Sequence, residues 1–163
     1  MGLLARDLNS GMWIGFDSMK RVYAKEEVCI GCRLCEVACV VEHSVSKNPV
    51  KAFKGIKPRP VPRNYVDEGG PLSFSVNCRH CDEPLCVAVC IAGAMTKDEA
   101  SGVVKHNAEK CAGCWSCIMA CPYGVVRVDP GKNRVVKCDL CDGRDTPACV
   151  QACPNRALVF EDR

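Results

Sequence analysis

The stretch KCAGCWSCIMACPYG, Lys110 to Gly124, places four cysteines in eleven residues and follows the last of them with Pro122. The chain of 163 residues holds 16 cysteines, and they fall into four such groups with none left over. Cys29, Cys32, Cys35 and Cys39 are spaced C-x2-C-x2-C-x3-C, as are Cys111, Cys114, Cys117 and Cys121. Cys78, Cys81, Cys86 and Cys90 are spaced C-x2-C-x4-C-x3-C, and Cys138, Cys141, Cys149 and Cys153 are spaced C-x2-C-x7-C-x3-C with Pro154 after them. This is an internal repeat. Residues four apart share one face of a helix. The third and fourth cysteines of a group are therefore expected on a short helix, as in CVAVC, CIMAC and CVQAC.

The C-x2-C-x2-C-x3-C-P run has the spacing of bacterial iron–sulfur sites, in which the fourth cysteine ligates the other cluster of a pair. The reason is geometric. Three closely spaced thiolates on a loop cap three irons of a cube, and the fourth, carried off by one helical turn, points at a neighbouring site. Four thiolates per cube make sixteen cysteines enough for four [4Fe–4S] clusters. Structural zinc takes two C-x2-4-C pairs. The first pairs of groups two and four imitate that, but three evenly spaced thiols in groups one and three suit a cube better. Disulfides suit secreted chains. The start of this one, MGLLARDLNSGMWIGFDSMKR, has no continuous apolar core and no twin arginine. A cytoplasmic location, in a reducing compartment, is expected.

Apolar residues make up 48% of the chain, but that figure counts cysteine. Without it the share falls to roughly 38%, thin for a core of this size. Bound metal is a common staple for such scaffolds. The formal charge of +3 is too small to argue for nucleic acid. No run reaches the length of a membrane span. There is no nucleotide motif, no free thiol in a nucleophile setting and no open metal site, so the chain is not expected to be an enzyme by itself.

Between the groups the pattern turns β-like. AMTKDEASGVVKH reads as strand, turn at Ala100–Gly102, strand. GVVRVDPGKNRVVKC reads as a hairpin with Asp129-Pro130-Gly131 at its turn, and ALVFED as a further short strand. Short hairpins alternating with short helices give a small α+β fold. Residues 41–71 form a connection with four prolines and a closing Pro71. From Ser44 to Asn64 it carries Lys47, Lys51, Lys54, Lys57, Arg59 and Arg63 and no acid, and it is too proline-rich for a long helix.

The four groups, with the lengthened gap before the third cysteine in groups two and four, resemble the four-cluster iron–sulfur subunits of multisubunit oxidoreductases. Those electron-transfer subunits serve molybdopterin or tungstopterin enzymes, formate-hydrogenlyase-type hydrogenases and nickel carbon monoxide dehydrogenases. The resemblance covers about residues 20–160. It implies that group one cross-ligates with group four, and group two with group three. One cluster would be held by Cys29, Cys32, Cys35 and Cys153, and its neighbour by Cys138, Cys141, Cys149 and Cys39. A third would take Cys78, Cys81, Cys86 and Cys121, and the fourth Cys111, Cys114, Cys117 and Cys90. The implied fold is two ferredoxin-like units, one nested in the other: residues 21–40 with 131–163, and residues 72–130. Val40 and Ile91 stand where the family pattern has proline after Cys39 and Cys90, so the local turns are expected to differ there. Group three is complete, so a cube is expected in it and not a three-iron cluster.

CIGCRLCEVACVVEHS, CRHCDEPLCVAVCIAGAM and CDLCDGRDTPACVQACPNRAL look closest to two branches of that family. One is the iron–sulfur subunit of tungsten-dependent aldehyde oxidoreductase. The other is the iron–sulfur partner of carbon monoxide dehydrogenase. The compact length favours the first. The implied function is one-electron relay between a large catalytic subunit and a second redox partner such as a flavin subunit, a ferredoxin or a hydrogenase. A free-standing polyferredoxin and a zinc-organised binding module are the rival readings.

Trp115, between two ligands, is expected to pack over a cluster and exclude water. His80, between Cys78 and Cys81, is expected beside the site or at the surface rather than as a ligand. His43 and His106 are read as ordinary surface residues. Each oxidised cluster with its four thiolates carries about −2, so the loaded protein is near −5 rather than +3. The basic connection is therefore expected to offset that charge, or to meet an acidic partner face. Residues 1–20 are read as an N-terminal docking arm, for a catalytic subunit or for head-to-tail contact with a second copy. They carry Leu3, Leu4, Leu8, Met12, Trp13, Ile14 and Phe16. Residues 21–163 are read as the four-cluster domain. MKRVYAKEEVC, from Met19, also has the form of a natural start.

Overall fold

The computed structural model describes residues 19–162, so residues 1–18 of the 1–20 arm lie outside the described residues. The described residues form four two-stranded antiparallel ribbons and five short α-helices. β1 (Arg21–Ala24) pairs with β8 (Leu158–Glu161), from Arg21 opposite Glu161 to Ala24 opposite Leu158. β2 (Tyr65–Gly69) pairs with β3 (Leu72–Val76). β4 (Met95–Lys97) pairs with β5 (Val104–His106), and β6 (Arg127–Asp129) with β7 (Arg134–Val136). These last two hairpins and β8 fall where alternation and turn residues placed them.

β1 and the β2–β3 hairpin were not expected. β1 offers four residues with only Val22 turned fully inward, and its partner lies at the other end of the chain. The hairpin has a signal, Gly69-Gly70-Pro71 between apolar runs, masked by the basic, proline-rich stretch before it. That connection also holds α2 (Pro49–Phe53). The Asn48 side chain accepts from the Val50 and Lys51 amides at 3.0 and 3.1 Å, and Pro49 at the first helical position needs no donor.

Helices α1 (Leu34–Glu42), α3 (Leu85–Ala88), α4 (Ser116–Met119) and α5 (Ala148–Gln151) each carry the third cysteine of a group. Only α1 also carries the fourth, Cys39. The other three end one residue or more before theirs, which corrects the expectation of a helix spanning both. Pro122 and Pro154 explain two of the cases, because proline disfavours the α conformation in the residue before it. Val40 imposes no such limit and α1 runs on to Glu42; Ile91 imposes none on Cys90, yet α3 ends at Ala88. Cys90, Cys121 and Cys153 are instead held by a tight turn. Their amides donate to Val87, Ile118 and Val150 three residues back, at 3.1, 3.4 and 3.2 Å.

α1 packs on α5 and α3 on α4, giving two small cores. The first gathers Val22, Cys35, Val66, Cys149 and Leu158. The second gathers Met95, Cys117, Val126 and Val135. Two-stranded ribbons are not stable alone in water, and cysteine supplies six of the nineteen buried apolar side chains among the described residues. Between the two regions, Arg21 of β1 pairs with Asp82 at 2.5 Å and Arg79 stacks over Tyr23 at 4.9 Å.

Leu158, 3% exposed, joins the terminal strand to the first core. Leu158→Ala should cost about 2–5 kcal/mol, read as a lower unfolding midpoint of the loaded protein under anoxia.

Candidate metal centres

Each C-x2-C loop turns back on itself at the same place. The residue two beyond the first cysteine has positive φ in all four groups: Gly31 (+65°), His80 (+45°), Gly113 (+69°) and Leu140 (+58°). Arg33 and Trp115, after the second cysteines of groups one and three, also have positive φ. Non-glycine residues in this region are uncommon and strained. At Gly113 a side chain would also meet the Asn133 carbonyl at 3.0 Å. A loop so coiled turns its thiols inward around a common centre.

The thiols gather as three from one group and one from another. An apolar cavity of about 380 Å³, including its solvent-open part, is lined by Cys29, Cys32, Cys35 and Cys153. A second, of about 320 Å³, is lined by Cys90, Cys111, Cys114 and Cys117. The remaining eight thiols lie deeper and perturb one another. Burial, then Cys39 and Cys141, push the Cys149 thiol up to about 12. Cys141 is raised by burial and also by Cys39. Cys81 and Cys86 are raised by burial, and both are raised further by Cys78 and Cys121. Thiols of neighbouring sets also lie within electrostatic reach of one another: Cys35 acts on Cys149, Cys78 on Cys138, and Cys86 on Cys117, whose thiol burial raises to about 11.

Single-metal and cluster sites differ in donor spacing. Zinc needs its ligands about 2.0–2.3 Å away. Among the described residues no three His, Cys, Asp or Glu side chains converge closely enough to hold one ion. Thiols spread around a cavity fit a multi-iron core. Backbone amides also aim at sulfur. Arg63 N–H points to Cys39 Sγ at 3.2 Å, Ala94 N–H to Cys90 Sγ at 3.2 Å, and Ala157 N–H to Cys153 Sγ at 3.1 Å. Buried imidazole nitrogens without a partner complete the fit: Nε2 of His80 and Nε2 of His106, the latter residue lining the second cavity.

Trp115 packs on the second core and lines the same cavity as Cys90, Cys111, Cys114 and Cys117. His80 is fully buried. Burial, then the Lys137 charge, hold its imidazole down at about 3, so it is neutral. The surface reading of His43 and His106 is corrected, since both are part-buried beside thiols. His43 donates from Nδ1 to Cys39 O at 2.7 Å and from Nε2 to Asp139 Oδ1 at 3.0 Å. With acceptors at both nitrogens it is a cation. Burial pulls its pKa down, but the hydrogen bonds to Asp139 and Cys39 outweigh it and carry the value to about 9. Asp139 also pairs with Arg63. The available signal was spacing: His43 lies four residues after Cys39, and Asp139 directly follows Cys138.

Fold and thiol arrangement together define an iron–sulfur electron-transfer protein of the ferredoxin type. The 4Fe-4S dicluster domain family matches residues 71–163, more than half of the chain, and the chain belongs to that family. It carries [4Fe–4S] clusters, and its 16 cysteines fit four. The electron transport protein HydN of Escherichia coli (strain K12) is 40% identical over 159 residues, 87% of each chain. Protein NrfC of the same organism is 39% identical over 140 residues, covering 83% of this chain and 61% of the relative. The formate dehydrogenase iron–sulfur subunit of Haemophilus influenzae is 34% identical over 149 residues, 81% of this chain and 48% of that subunit.

Burial raises the thiols of Cys35, Cys81, Cys86, Cys117, Cys138, Cys141 and Cys149, so cluster assembly must release protons there, and iron removal must cost folding free energy. Anoxic chelation should therefore abolish the cooperative unfolding transition and reduce the circular dichroism signal; an unchanged transition would contradict the thin-core argument. Trp115→Ala should leave iron content intact and speed bleaching in air severalfold for one cluster, with the rest of the absorbance decaying as in the parent chain.

Proposed function

We propose that the chain is the electron-relay subunit of a larger oxidoreductase, carrying single electrons between a catalytic subunit and a second redox partner. The proposed ligand sets are Cys29, Cys32, Cys35 with Cys153; Cys138, Cys141, Cys149 with Cys39; Cys78, Cys81, Cys86 with Cys121; and Cys111, Cys114, Cys117 with Cys90. The observation that carries this reading is the gathering of thiols in threes plus one around the two cavities, with thiols of each set within electrostatic reach of the next in that order. The sets follow one another as a line of four. Two ferredoxin-like units, residues 21–40 with 131–163 and residues 72–130, are the proposed domains. The pairing of β1 with β8 supports this division, as does the packing of α1 on α5 and of α3 on α4.

When bound, the clusters supply one-electron redox chemistry. The protein's own residues hold the thiols in place, cover them with apolar side chains and aim N–H groups at sulfur, all of which set potential. Cys32 and Cys114, in the first and last sets, are the two exposed thiols among the sixteen. Electrons enter and leave there in this reading. No thiol is in a disulfide, which suits a reducing compartment, here taken as the cytoplasm.

The proposed catalytic partner is a large pterin enzyme of tungsten or molybdenum. The sequence resemblance favours a tungsten aldehyde oxidoreductase. The likeness to a formate dehydrogenase iron–sulfur subunit favours a formate-oxidising enzyme as the second reading. Lys51, Lys54, Lys57 and Arg59 in the basic connection are suited to an acidic face of such a partner.

Anoxic co-purification from the native cell, with metal analysis, tests the reading. Near sixteen irons per chain, together with tungsten or molybdenum and a large subunit, is the expected outcome. Nickel in the large subunit would move the assignment to carbon monoxide dehydrogenase or a hydrogenase. Iron with no companion protein would overturn the subunit reading, and zinc in place of iron the relay itself.

A further inference from the structure

Lys137 is 3% exposed. Its ammonium donates to the Val104 carbonyl at 2.7 Å and the Cys138 carbonyl at 2.9 Å. No carboxylate among the described residues pairs with it. Burying a cation against carbonyl dipoles alone is unfavourable, and buried charges are normally paired. Asp139, two residues on, is engaged by His43 and Arg63 instead, which leaves sulfurs as the nearby groups able to supply negative charge. Lys137 directly precedes Cys138 and donates to its carbonyl, and it shares Val104 with His80, which lies between Cys78 and Cys81; these cysteines belong to the two inner ligand sets.

His80, fully buried, stands beside it. The Val104 N–H donates to His80 Nδ1 at 3.0 Å. Nδ1 therefore bears no proton, and the proton is on Nε2. That N–H is buried and meets no acceptor in the protein. His80 lies between Cys78 and Cys81, so its loop is the one that would wrap the third cluster.

One residue fixes both groups, and the ribbon's register explains how. Asp98 N–H donates to Val103 O at 2.9 Å and Asn107 N–H to Ala94 O at 2.8 Å. The Lys97–Val104 pair between them is thus a non-hydrogen-bonded pair. Val104 turns its amide and carbonyl away from β4, where they meet His80 and Lys137.

We infer that Lys137 and His80 set the potentials of the two inner clusters: the ammonium is their shared countercharge, and His80 Nε2–H donates to sulfur at the cluster held by Cys78, Cys81, Cys86 and Cys121. A fixed cation and a donated hydrogen bond both stabilise the more negative, reduced form. Both groups therefore raise the inner potentials relative to the outer two. This rests on the relay reading and its ligand sets.

The test uses the full chain loaded anoxically, with iron assayed first and each cluster then followed by electron paramagnetic resonance during redox titration. Lys137→Gln should keep the parent iron content and lower the reduction equilibrium of two clusters tenfold or more, ~59 mV per tenfold for one electron. Lys137→Arg should restore it. His80→Met should lower that of one cluster only, and this variant decides the matter if Lys137→Gln does not load iron. Full iron with unchanged potentials in His80→Met and in any loaded Lys137→Gln protein would overturn the inference and leave the relay reading standing. So would an equal shift over all four clusters. Iron well below sixteen in the parent chain would instead sink the relay reading itself.

Discussion

Three thiols come from one coiled loop and one from a turn far along the chain, and the rest of the structure follows from that demand. Cys153 can meet Cys29, Cys32 and Cys35 only if the two ends of the chain lie together. β1 pairs with β8, and α1 packs on α5, where that meeting occurs. Cys90 meets Cys111, Cys114 and Cys117 by a shorter excursion, through the β4–β5 hairpin. Bringing distant segments together costs loop-closure entropy. Ribbons of three to five residues and a core one-third cysteine are poor compensation by themselves. Metal coordination, which couples directly to folding, is the term large enough to offset it.

The same demand shapes the backbone. A loop that faces three sulfurs inward has to reverse its hand, and it does so at one position in all four groups. Glycine takes that position in groups one and three, while His80 and Leu140 accept the strain in groups two and four. These two gain from having side chains. Leu140 packs against the first core, and His80 accepts from the Val104 amide through Nδ1. Trp115, similarly strained, covers a cavity. Strain of this kind persists where the surroundings over-determine it, and wrapping a cluster provides such surroundings.

Much of this was legible in the sequence, and the limits have physical causes. Cysteine spacing carried the cofactor class because it reflects the geometry of a single loop. The hairpins around Ala100–Gly102 and Asp129–Gly131 were legible because turn chemistry is local. The partner of β1 was not, since four residues with one inward valine look like nothing until β8 arrives. The ends of α4 and α5 follow from Pro122 and Pro154, which outweigh the four-residue spacing, whereas the end of α3 before Cys90 has no such signal. His43 and Lys137 were hidden for a different reason. His43 lies four residues after Cys39 and Lys137 directly before Cys138, both in unremarkable sequence, and the role of each comes from acceptors brought by another segment, Asp139 for His43 and Val104 for Lys137.

Exposure then orders the four sites. Cys32 and Cys114 reach solvent, whereas Cys35, Cys78, Cys117, Cys141 and Cys149 are buried. Beside the exposed thiols stand exposed apolar side chains: Ile30 at 63% near Cys32, and Ile91 and Met119 at 80% and 86% in the segments that carry Cys90 and Cys117. Large apolar groups left to water near a redox site are suited to being covered. A covered outer site also loses the water that would otherwise shift its potential. The outer potentials are thus open to whatever docks on them. On the proposed ligand sets, the inner ones would lie with Lys137 and His80 and be set by the chain itself. A relay built this way keeps a fixed middle and leaves its two ends to be adjusted by the proteins they meet.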